Sequence, residues 1–200
     1  MGKPDTKTIL LDANEWAARR HGYDGFSYAD LSKRVGIRTA SIHYHFPAKA
    51  DLITALMARY KNEVAENLAQ VIKQQHTGGT QILRFLDLYR TALNGGIRCA
   101  CVWLCQWATD TLAKATLQQI FDFRGQTLVW LQKVFARAEQ DGSIRAVYNP
   151  SAEAAAALAL VEGAQISTHS EQNLQRFDRA TDLMRQRLHT DPPAGLTVLP

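Results

Sequence analysis

Between Ser27 and Pro47 the chain reads Ser-Tyr-Ala-Asp-Leu-Ser-Lys-Arg-Val-Gly-Ile-Arg-Thr-Ala-Ser-Ile-His-Tyr-His-Phe-Pro, and few folds satisfy that order. Ser27 followed three residues later by Asp30 has the form of a capping box, which predicts a helix from Tyr28 with Leu31 and Val35 on one face. Gly36 ends it, because a glycine there takes a left-handed conformation and turns the chain sharply. A second helix is predicted behind Thr39 as its cap, running to a stop at Pro47. Ile42 and Phe46, four apart, face back toward Leu31 and Val35. The result is two short helices at a tight turn, with Arg38, Thr39, Ala40, His43 and Tyr44 left outside.

That outward row has the chemistry of a groove reader. Arginine and the hydroxyls of Thr39 and Ser41 donate to base edges or phosphates, and the methyls of Ala40 and Thr39 can meet a thymine methyl. Tyr44, His45 and Lys49 are expected on phosphates, and Ser27 and Tyr28 complete the expected DNA-contacting set. Charge agrees in sign. Up to Lys61 there are ten Lys and Arg against six Asp and Glu, whereas from Asn62 onward thirteen stand against thirteen. All of the excess positive charge therefore lies in the part that would face a polyanion.

The run Gly36-Ile37-Arg38-Thr39-Ala40-Ser41-Ile42-His43-Tyr44-His45-Phe46-Pro47-Ala48-Lys49-Ala50-Asp51-Leu52 resembles the DNA-binding region of the tetracycline-repressor (TetR) family of bacterial regulators. The resemblance extends back through Thr8 to His21 and the link Gly22-Tyr23-Asp24-Gly25-Phe26. It implies a dimeric regulator, usually a repressor, that binds a near-palindromic operator with one head on each half-site. Three positions depart from the family pattern. Arg38 stands where a small capping residue is usual, His43 where an aromatic is usual, and Ala48 where a hydroxyl would cap the next helix. The binding mode carries over, but the base preference does not.

The rest of the chain predicts an all-α fold: a three-helix helix-turn-helix head at residues 1–48, a helical effector-binding and dimerisation domain at 49–190, and a flexible tail at 191–200. In the first helix Ile9, Ala13, Trp16 and Ala17 recur on the side that meets Phe26, so Trp16 is expected in the core. After Lys49, Leu52, Leu56, Tyr60, Val64, Leu68 and Ile72 recur in steps of four. Such a stripe winds by about 200 degrees over its length, so its two ends face different cores, and the helix is a natural lever. Gln75 to Gly79 breaks the pattern, and Thr80 is expected to begin a helix to about Leu93. A helix from Cys101 to about Leu112 follows. Then comes the most regular stripe in the chain, Leu117, Phe121, Arg124, Leu128, Leu131, Phe135 and Ala138. Pro150 and Ser151 open an Ala-rich helix to about His169, and Leu174 to Leu188 form the last. Small residues at Ala154 to Ala159 and at Gly163-Ala164 make this pair the expected dimer surface.

The second domain carries one further clue. Cys99, Cys101 and Cys105 are the only cysteines and share a short segment with Trp103 and Trp107. They read as small core hydrophobes, or as a thiol sensor in which Arg98 favours a thiolate. Three sulfurs spread around a helix suit no tetrahedral metal ion, so no metal and no cofactor is expected. With Tyr89, Phe121, Phe123 and Trp130, the two tryptophans could instead line a pocket for an apolar or aromatic effector. The longest apolar run, near Ala154 to Val161, is too short to span a bilayer, and a cytoplasmic protein is expected. No nucleophile motif, phosphate loop or metal-ligand spacing suggests an enzyme. A helical thiol- or metal-dependent enzyme and a protein-binding adaptor are the rival classes.

Overall fold

The computed structural model describes residues 5–96, 99–105 and 112–188, without the side chains of Arg19, Arg20, Cys101, Trp103 and Cys105. The fold is all-α. Among the described residues nine helices follow one another: α1 (Thr6–His21), α2 (Tyr28–Val35), α3 (Thr39–His45), α4 (Lys49–Gln74), α5 (Gly78–Asn94), α6 (Ala100–Cys105), α7 (Lys114–Gln140), α8 (Pro150–Glu171) and α9 (Gln175–Gln186). The extended pairing described is a single isolated bridge between Ile144 and Leu188. Two compact units divide the chain, one of Met1–Val64 with Ala100–Phe123 and one of Ala65–Cys99 with Arg124–Pro200. The division falls inside α4 and inside α7.

In the first unit the helix ends are set locally. The Asp5 carboxylate accepts from the Thr8 amide at 2.7 Å and starts α1. The capping box at Ser27 and Asp30 is formed in both directions, and Gly36 closes α2 at φ 77, left-handed as its position requires. The start of α3 differs from expectation. Thr39 is already helical and Arg38 is the cap, with no side-chain hydrogen bond to the helix. Asp51 supplies what Ala48 lacks, since its carboxylate accepts from the Ala48 amide at 2.9 Å.

The core of this unit takes Leu10, Ala17, Ala18, Leu31, Ile42, Phe46, Leu52, Ile53, Leu56 and Met57, all nearly inaccessible. Trp16 is not among them. It is 39% exposed, its ring lying under the Arg34 guanidinium 3.5 Å from the ring centroid. An indole sandwiched by a cation can stay half in water, which periodicity alone does not foresee. Asn14, by contrast, is fully buried on the inner face of α1, and neither amide atom has a hydrogen-bond partner. Asn14→Leu is therefore expected to raise stability by about 1 to 3 kcal/mol, the usual cost of an unmet buried polar group. Urea unfolding of the two proteins checks this, and an unchanged or lower midpoint would refute it.

The second unit revises three expectations. Helix α5 begins at Gly78 behind Thr77, whose side chain accepts from the Thr80 amide, so Thr80 is the third helical residue and not the first. The α4 stripe ends on Val71, which is buried, while Ile72 is 48% exposed. The Ala-rich helix α8 opens behind Asn149, whose Oδ1 accepts from Ser151 and Ala152. Three of its seven small residues from Ala154 to Ala164 serve the chain's own core: Ala154, Ala157 and Ala164 are buried with Leu158 and Val161. Ala155, Ala156, Ala159, Gly163 and Ile166 face outward, and α9, packed beside α8, adds Leu183 at 75% exposure. In α7, whose part up to Phe123 belongs to the first unit, the buried residues are Thr116, Ile120, Phe123, Thr127, Leu131, Val134, Phe135 and Ala138. Phe121 is 73% exposed, one position off the predicted line. Where apolar residues neighbour each other, spacing does not say which of them turns inward.

Candidate DNA-recognition surface

Helix α3 is held on the first unit from its inner side. Ile42 and Phe46 are buried with Leu31, and the Tyr28 hydroxyl donates to the Phe46 carbonyl at 2.9 Å, tying the start of α2 to the end of α3. Burial pushes the Tyr28 phenol up to about 12, so it remains a donor. Tyr28 is thus corrected from a groove-facing residue to a core one. Ser32, in the last turn of α2, donates to the Ile37 carbonyl at 2.6 Å and ties that helix to the link that follows it.

The outer side of α3 carries the expected row. Arg38, Ala40, His43 and Tyr44 are exposed, Thr39, Ser41 and His45 half-buried. Tyr44 is 84% exposed and meets the His45 ring edge-on at 5.2 Å. His43 is exposed yet restrained, with Nδ1 3.2 Å from the Pro47 carbonyl oxygen and its ring 4.7 Å from that of Tyr28. Ser27 is exposed, but its hydroxyl donates to Asp30 at 2.6 Å, and these hydrogen bonds hold the Asp30 carboxyl below its ordinary range.

Lys49 departs from the role expected of it. Its ammonium donates to the Phe26 carbonyl at 2.6 Å and lies over the rings of Phe26 and Tyr23, at 4.2 and 5.0 Å. Burial draws its pKa down. A lysine so placed braces the link between α1 and α2 before it reaches any phosphate. Sequence reasoning also missed Arg59, which clasps α1 from α4. Its guanidinium pairs with Asp12 at 2.6 Å and with Glu15, and lies 3.6 Å from Glu63. Its α1 partners stand 47 and 44 residues away, and no local signal connects them.

The residues proposed for an effector are partly gathered. In the second unit Tyr89 and Trp130 both lie on Phe85, with centroids 5.1 and 5.8 Å apart. Trp130 also borders a cavity of about 140 Å³ with Ile72, Gln81, Lys133, Val134 and Arg137. Phe121, turned to solvent, is removed from any lining. Cys99 is buried and its amide donates to the Gln165 side chain at 2.7 Å. Trp107, Arg98 and the side chains of Cys101, Trp103 and Cys105 lie outside the described residues. Nearby in sequence to Gln165, Glu162 receives the Arg124 guanidinium at 2.7 Å, but burial outweighs that pairing and lifts its pKa. Among the described residues no group of three His, Cys, Asp or Glu side chains is placed to hold a metal ion, and no helix is long and apolar enough to cross a membrane.

A capped helix-turn-helix with an exposed polar row, in a chain otherwise built of helices, defines a DNA-binding transcription regulator of the helix-turn-helix class. Residues 10–56 match the family model for bacterial regulatory proteins, tetR family. The match takes in most of α1, all of α2 and α3, and the start of α4. Among solved structures it is similar to a TetR-family transcriptional regulator from Agrobacterium tumefaciens, with 27% identity, a TM-score of 0.86, and 92% of this chain and 97% of that one covered. It shares its fold with a TetR regulator from Legionella pneumophila at 24% identity and a TM-score of 0.81, covering 94% and 100%. The reduced form of E. coli NemR has the same fold at 19% identity and a TM-score of 0.80, again covering 94% and 100%. None of the curated proteins compared with it matches the chain.

Proposed function

We propose that this protein is a transcriptional repressor that binds a near-palindromic operator as a homodimer and lets go when its second domain takes up an effector. The observation that carries the reading is the α3 row of Arg38, Ala40, His43 and Tyr44, exposed on a helix whose other side is pinned by Tyr28, Ile42 and Phe46. A rigid helix with its polar side outward can enter a major groove without first paying to order itself. Dimerisation is supported by the outward small-residue face of α8 with Ile166 and Leu183 beside it, apolar surface that one chain leaves in water.

Release works through α4. Within the first unit this helix is tied to α1 by Arg59 and to the start of α7 by three contacts. These are Thr54 with Thr116 at 2.8 Å, Lys61 with Asp122 at 3.8 Å, and Tyr60 with Phe123 at 5.3 Å. A ligand or a modification that favours one position of α6 and α7 would move α4, and with it the head. The effector is an apolar or aromatic small molecule, or an oxidant or electrophile acting on Cys99, Cys101 or Cys105.

The test is protection of an inverted repeat in the DNA flanking the coding region by the purified protein. Protection of both half-sites, lost as salt rises, is the expected result. Indifference of the folded protein to duplex DNA at low salt would refute the reading, and would favour an adaptor or an enzyme. Cys101→Ser and Cys105→Ser then separate the effector routes: oxidant-driven release unchanged in both excludes those two thiols.

A further inference from the structure

His43 lies in the middle of the reading row, and its proton is not free to choose a nitrogen. Nδ1 sits 3.2 Å from the Pro47 carbonyl oxygen, which has lone pairs and no hydrogen to give. The nitrogen must therefore be the donor. A neutral imidazole carries one N–H, so Nε2 on the opposite side of the ring is left as a bare acceptor. The ring is held in this attitude by Tyr28, edge-on at 4.7 Å, and Tyr28 is itself buried and hydrogen-bonded to Phe46. Turning the ring over would set carbon against the Pro47 oxygen and forfeit that bond.

From this geometry we infer that His43 reads the operator as a hydrogen-bond acceptor, selecting adenine or cytosine on the strand it contacts. Those two bases present an amino group in the major groove, at N6 and N4, whereas guanine and thymine present an oxygen there. Opposite guanine or thymine, Nε2 would set lone pair against lone pair. Arg38, exposed on the same row, has only donors and is suited to guanine, so the two side chains divide the edge code between them. The inference rests on the reading of α3 as the groove helix and deepens it.

Selection from duplexes randomised over a half-site, with the full-length protein in mildly alkaline buffer, tests it. The wild-type pool is expected to hold one position per half-site where adenine or cytosine is preferred by roughly three- to tenfold, the net worth of one hydrogen bond. His43→Ala should flatten that position alone. His43→Lys, which offers only donors, should turn it toward guanine. Imidazole nitrogen shifts in the free protein should report the Nδ1-protonated form. A His43→Ala motif identical to the wild-type one, with affinity lowered evenly across sequences, would make His43 a phosphate contact and overturn the inference while leaving the groove reading intact. An Nε2-protonated ring would overturn it as well. A wild-type pool with no enriched motif would overturn both together.

Discussion

Gly78→Ala is expected to destabilise the second unit by about 3 kcal/mol, the upper end of what overpacking costs, because the obstacle is main chain and cannot rotate aside. A Cβ built on Gly78 would stand 2.3 Å from the Ala138 amide nitrogen, and one on Gly79 would stand 2.5 Å from the Ser143 carbonyl oxygen. The start of α5 is pressed against the end of α7 so closely that no side chain fits. What replaces side-chain packing is hydrogen bonding: the Gly78 amide donates to Asp141 at 2.8 Å and the Gly79 amide to the Ser143 hydroxyl at 2.6 Å. Gly125→Ala is the control, since α7 leaves open space at that position and alanine favours a helix. Urea unfolding should show a large loss for Gly78→Ala and none for Gly125→Ala. Equal midpoints would mean that the two helices part at little cost.

Ile42→Ala should cost the head about 2 to 5 kcal/mol and abolish operator binding without dissolving the dimer. Ile42 is fully buried on the inner side of α3, so its truncation leaves a cavity where the reading helix meets its support. The proposed dimer face on α8 and α9 lies in the other compact unit. Thermal unfolding, gel filtration and an electrophoretic shift on one preparation separate these effects. A variant that melts as the wild type does, or still retards the operator with full affinity, would show that α3 is not held from below in this way.

The turn was legible because its signals are local. A capping box, a glycine at a left-handed position and a proline stop act within a few residues, and the structure forms each of them as the order of residues implies, apart from the cap of α3. The all-helical fold was legible for a similar reason: stripes at helical spacing persist over many turns. Facing was less so. Tyr28, Trp16, Ile72 and Phe121 each took a side opposite to expectation, because periodicity allows neighbouring positions equally. For Tyr28 the decisive partner is the Phe46 carbonyl, and for Trp16 it is Arg34. The Arg59 clasp and the orphaned amide of Asn14 left no mark in the sequence, since neither depends on spacing. At the proposed site the identity of the outward row was readable, whereas the restraint on His43 and the diversion of Lys49 were not.

The compact unit that contains the helix-turn-helix continues to Val64 and takes in Ala100–Phe123, and Leu52, Ile53, Leu56 and Met57 are almost wholly buried in α4. A graft of the first 48 residues onto a foreign sensor would strip α1 of Arg59 and leave that apolar strip to be matched by whatever helix came next. Chimeras in this architecture should therefore be spliced within α4 beyond Val64, and should bring the returning segment along with the reader, if the borrowed specificity is to arrive on a folded protein.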